Sequence, residues 1–130
     1  MVRGSRALAP LLTVFGVAQL ALALLMVAAP GTFFDNIGPY GVRNDHYLAD
    51  LATFYAALGV VALVAARRPS WRVPVLAFAA LQYVLHSVNH LVDVGEAHKD
   101  WLGPANLISL AATAVLLGWM LSVAARDAGD

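Results

Sequence analysis

Four long apolar stretches, at 7–29, 47–66, 73–92 and 104–124, decide what this chain can fold into. Crossing about 30 Å of hydrocarbon takes about 20 apolar residues as a helix, because helical pairing lets one segment satisfy its own backbone N–H and C=O groups away from water. The first stretch carries no ionisable side chain and stops at Pro30-Gly31. The second is interrupted by Asp50, Thr53 and Tyr55 and ends at Arg67-Arg68-Pro69, and the third follows after a short loop. The fourth runs toward Arg126. The expected fold is therefore all-α: one four-helix membrane domain over residues 1–130. Composition agrees, since 61% of the 130 residues are apolar and 12% are charged, about half the charge of an ordinary soluble domain. Eight basic and eight acidic residues balance to zero, which argues against a disordered tail, an acidic interaction module or a nucleic-acid partner. With no cysteine, disulfides, thiolate metal sites and a cysteine nucleophile are excluded.

The first stretch follows Arg3 and Arg6 and ends in small residues, as a secretory signal does. Its apolar region exceeds the ~7–15 residues usual for one, and Pro30 would follow the cut; it reads as a retained helix. Arg3, Arg6, Arg67, Arg68, Arg72 and Arg126 fall on one side of such a bundle, against Arg43 and Lys99 on the other. Lys and Arg in short loops mark the cytoplasm. Both termini are expected there, in the inner membrane of a bacterium, with the 30–46 and 93–103 connections outside. Thr32-Phe33-Phe34-Asp35-Asn36-Ile37 followed by Gly38-Pro39-Tyr40-Gly41 suits a short helix or loop in the interface, and Trp71 and Trp101 fall at boundaries as anchoring rings do.

All four histidines lie in the outer half. At about 100° per residue, Gln82, Tyr83, His86, Asn89, His90 and Asp93 occupy one wedge of the third span. His46, Asp50, Thr53 and Ala57 share a face of the second, and Asn106, Ser109 and Thr113 a face of the fourth. A short connection makes the second and third spans antiparallel neighbours, and ionisable groups within a bilayer turn inward. His46 and Asp50 are thus expected to face His86, His90 and Asp93. Two imidazoles at i,i+4 with carboxylates nearby suit a divalent transition metal such as Zn²⁺, Fe²⁺, Mn²⁺ or Cu²⁺. Such a centre would be structural, or would serve redox or hydrolytic chemistry on a membrane-soluble substrate. Asn106 would then be a peripheral hydrogen-bonder.

Other readings of the same stripe stay open. It can be a hydrogen-bond network that holds helices in register, in a non-enzymatic subunit or a bundle that binds a lipid or a small lipophilic ligand. His46 with His86 or His90 could ligate haem, although Asp50, Asn89 and Asp93 spoil an apolar slot. A proton-coupled carrier would use Asp50. His98, beside Glu96, Lys99 and Asp100, reads as a solvated loop residue, and Gln19 as a hydrogen bond to a neighbouring helix. Ala114, Gly118 and Ser122 repeat at small-xxx-small spacing, which allows close helix approach within the bundle or in a homo-oligomer.

The layout resembles that of small bacterial four-helix membrane proteins of the DoxX-like group. The shared pattern is a first span ending in a Pro-containing outer segment, Ala29-Pro30-Gly31 through Gly38-Pro39, then an Ala- and Gly-rich second span ending in Ala65-Ala66-Arg67-Arg68, then two closely spaced helices. The resemblance implies the fold and a place in membrane redox or oxidative-stress assemblies. It implies no catalytic residue.

Overall fold

A computed structural model describes residues 5–129, with the side chain of Ser5 left aside. Four long helices form: α1 (Ser5–Ala28), α3 (Asp45–Arg67), α4 (Arg72–Val92) and α5 (Leu102–Gly129). A short helix, α2 (Pro30–Asn36), follows α1, and a 3₁₀ turn (Pro69–Trp71) leads into α4. All four long helices have the length and apolarity to cross a membrane. They match the expected spans to within a few residues. Arg3 lies outside the described residues.

Local chemistry sets the boundaries. Pro30 opens α2, where its missing N–H costs nothing. Asn44 caps α3: its side-chain oxygen accepts from the backbone N–H of His46 at 3.1 Å and of Tyr47 at 3.2 Å. Removing that acceptor in Asn44→Ala is expected to cost about 1 kcal/mol, read as a lower unfolding temperature of the detergent-solubilised protein. At the other end of α3, the Arg72 guanidinium donates to the carbonyls of Ala65 and Ala66. These carbonyls lack partners within their own helix.

The helices pack as two tight pairs, α1 along α3 and α4 along α5, with lighter contact between the pairs. Within lipid, close fit replaces hydrophobic exclusion as the driving force, so small residues govern approach. A Cβ built on Gly16 would lie 2.9 Å from the Gly59 carbonyl, and one on Gly59 2.9 Å from the Gly16 carbonyl. These two glycines let the α1 and α3 backbones nearly touch. The small residues singled out on the fourth span behave differently. Gly118 and Ser122 are exposed, and nothing lies within 4 Å of a Cβ at Gly118.

The core is unequal along its length. At the arginine end all four long helices share one cluster, including Leu8 and Leu12 of α1, Ala62 and Ala65 of α3, Leu76 and Ala79 of α4, and Leu117 and Met120 of α5. At the histidine end the buried cluster is Ala23, Met26, Phe33, Ala52 and Tyr55, from α1, α2 and α3 alone. The polar stripes of α4 and α5 occupy this end, and side chains such as His86 and Asn106 cannot interdigitate with an apolar layer as Leu76 and Met120 do. The pairs part here and leave a cavity.

Candidate functional site: a capped cavity between the helix pairs

The cavity has a volume of about 360 Å³, within the ~300–1,000 Å³ range of small-molecule sites. Leu22 and Met26 of α1 and Leu48, Leu51 and Tyr55 of α3 form one wall. Tyr83, His86 and His90 of α4 and Asn106, Ser109, Leu110 and Thr113 of α5 form the other. Phe33, Ile37, Gly38 and Tyr40, from α2 and the segment after it, close the end. Leu51 and Ser109 are exposed, so the cavity opens sideways through the apolar surface of the bundle.

The cap is stitched down by hydrogen bonds from the 93–106 region. Asn106 Nδ2 donates to the Ile37 carbonyl at 2.7 Å, and Lys99 Nζ to the Asp35 carbonyl at 2.7 Å. The backbone N–H of His98 donates to the Pro39 carbonyl at 3.0 Å, and Tyr40 forms an isolated bridge with Ala97. Gly41 follows Tyr40 with φ of 61°, the left-handed region glycine enters without a Cβ penalty. This turn directs the chain toward Asn44 and α3. Tyr40 itself reaches down to α4: its hydroxyl lies 3.1 Å from His90 Nδ1, and the two rings meet edge to face.

His86 and His90 stand side by side, with ring centres 4.8 Å apart. His86 Nδ1 is buried without a hydrogen-bond partner among the described residues, as is Gln82 Oε1. Deeper in, the buried Gln19 amide donates to the Tyr83 hydroxyl at 2.8 Å. This is the interhelical bond expected of Gln19, and it ties α1 to α4 beneath the cavity floor.

Of the five proposed ligands, the structure brings His86 and His90 together and sets His46 and Asp50 apart from them. His46 and Asp50 pair with each other at 3.5 Å on an outward face of α3, with side chains 84% and 64% exposed. The expectation that they turn toward α4 is corrected. Its physical reason is the α1–α3 pinch: Gly59, Ala52 and Tyr55 take the inward faces of α3, which rotates the His46, Asp50, Thr53 and Ala57 face outward. Asp93 follows α4 as its C-terminal cap residue, part-buried. Among the described residues, no three His, Asp or Glu side chains converge where they could hold a metal ion. His98 is exposed, edge-on to Phe34.

Sequence reasoning missed the cavity-lining Tyr40, Leu22, Met26 and Leu51. The sequence places Tyr40 in an interfacial helix or loop, and no periodicity in the 37–44 connection shows that it folds back over α4. The apolar residues carry no signal that separates a cavity wall from a packed core. No protein-family model, curated protein or solved structure matches the chain.

Proposed function

We propose that this chain is a small multi-pass membrane protein that binds a lipophilic small molecule in the cavity at its histidine end, admitting it sideways from the bilayer. The observation that carries the reading is the cavity itself: a 360 Å³ space lined by five segments, at the depth of the spans, with polar groups on one wall and exposed Leu51 and Ser109 at its rim. A packed register-holding network would fill this space with side chains. The arginines Arg6, Arg67, Arg68, Arg72 and Arg126 gather at the opposite end, which supports a cytoplasmic placement of both termini. The test is photolabelling in liposomes with a long-chain alcohol bearing an alkyl diazirine, followed by mass-spectrometric mapping. Adducts on cavity residues such as Tyr55 and Leu110 are expected; adducts confined to lipid-facing residues such as Val84 and Ile108 would overturn the reading.

A second reading is favoured by one specific distance. A divalent ion lies about 2.0–2.1 Å from a ligating imidazole nitrogen, and two rings sharing an ion have centres on the order of 5 Å apart at that bond length. His86 and His90 already stand at 4.8 Å, and Tyr40 engages His90 Nδ1 in the way that orients a ligating imidazole. Exogenous groups would complete the shell around Zn²⁺, Fe²⁺, Mn²⁺ or Cu²⁺. Elemental analysis of purified protein after metal loading is expected to give one ion per chain, lost in His86→Ala and His90→Ala and kept in His46→Ala. Retention of metal in the α4 variants would refute this reading.

A further inference from the structure

We infer that the cavity selects an uncharged molecule bearing a hydrogen-bonding oxygen, such as a long-chain ketone or alcohol, and rejects carboxylates and phosphates. The inference rests on the cavity being a lipophile site, and it names the ligand class.

Among the described residues, no Lys, Arg, Asp or Glu lines the cavity. The cations at this end are engaged elsewhere, Lys99 on the Asp35 carbonyl at 2.7 Å and Arg43 on Asp45 at 2.9 Å. An anion drawn into a low-dielectric space without a counter-ion loses solvation that nothing there replaces in full. A fatty acid carboxylate or a phospholipid headgroup therefore finds neutral donors there but no Lys or Arg to balance its charge. A plain hydrocarbon is a poor match as well, because it leaves the polar wall unpaired. The Tyr83 oxygen accepts from Gln19, so its own proton is available to another acceptor. Tyr55 is buried on the facing wall, and His86 Nδ1 lacks a partner among the described residues. Unpaired buried groups are costly, and a ligand oxygen recovers part of that cost. A ketone accepts from the phenols, and an alcohol additionally donates to an imidazole.

The experiment is competition against the diazirine alcohol in liposomes at alkaline pH, where a carboxylate is ionised. The competitors are decanol, methyl nonyl ketone, decanoate and decane. Decanol and the ketone are expected to halve cavity labelling at concentrations at least about tenfold below those of decanoate and decane. In Tyr55→Phe the ketone should lose most of this advantage while decane competes as before. Decanoate matching decanol would overturn the charge selection, and decane matching the ketone would overturn the hydrogen-bonding part. Absence of any cavity adduct, with lipid-facing adducts present, defeats the lipophile-site reading itself and so is distinct from both.

Discussion

Replacing Leu110 with tryptophan is expected to abolish labelling of the cavity by the diazirine alcohol, with at least about a tenfold loss, equivalent to ~1.4 kcal/mol of binding. Leu110 projects from α5 into the cavity between the helix pairs, so a two-ring side chain there occupies the ligand's volume. The space already exists, so the substitution avoids the overpacking that a filled core would suffer. Ile108→Trp is the control. Its side chain is 69% exposed on the same helix, and it should leave labelling unchanged. Equal loss in both variants would mean that the label reports general disturbance of α5.

Gly59→Leu is expected to have the largest effect on the fold. A new Cβ would lie 2.8 Å from Leu20 Cγ and 2.9 Å from the Gly16 carbonyl, and the carbonyl is a backbone atom that cannot rotate away. Overpacking of this kind costs about 1–3 kcal/mol, occasionally more, and the upper end is expected because α1 must move bodily from α3. Gly118→Leu, where a Cβ meets nothing within 4 Å, should change stability by less than about 0.5 kcal/mol. The comparison is read from thermal unfolding of both variants in the same detergent. If the Gly118 variant were the weaker, close approach would be governed by the α5 face rather than by the α1–α3 pinch.

The spans were legible because length and apolarity are local properties, and the structure places all four within a few residues of the sequence reading. The α4 stripe was legible for the same reason: helical spacing alone puts His86 and His90 on one face, and both line the cavity. Which face of α3 turns inward was another matter. His46 and Asp50 argue by their cost in lipid for facing in, yet they sit near the helix start, where Asn44 and Asp45 already mark the end of the span. At that depth outward exposure is tolerated, and the Gly16–Gly59 contact decides the rotation. Two single glycines on helices far apart in sequence form no repeat, whereas Ala114, Gly118 and Ser122 form one, of which Ala114 packs against the core and Gly118 and Ser122 are exposed. The cavity was illegible for a related reason. It arises where two polar stripes prevent four helices from sharing a layer, and stripes on separate helices predict contact as readily as a gap. Tyr40 closes it through a turn at Gly41 whose direction only the folded chain shows.

The most direct measurement is a crystal structure of the protein grown in lipid with a bromine-tipped ten-carbon alcohol, read by the anomalous signal of the halogen. A bromine peak between α3 and α5, within the space bounded by Tyr55, His86 and Leu110, is predicted. Peaks found only along the outer faces of the helices, with that space closed by side chains, would contradict it.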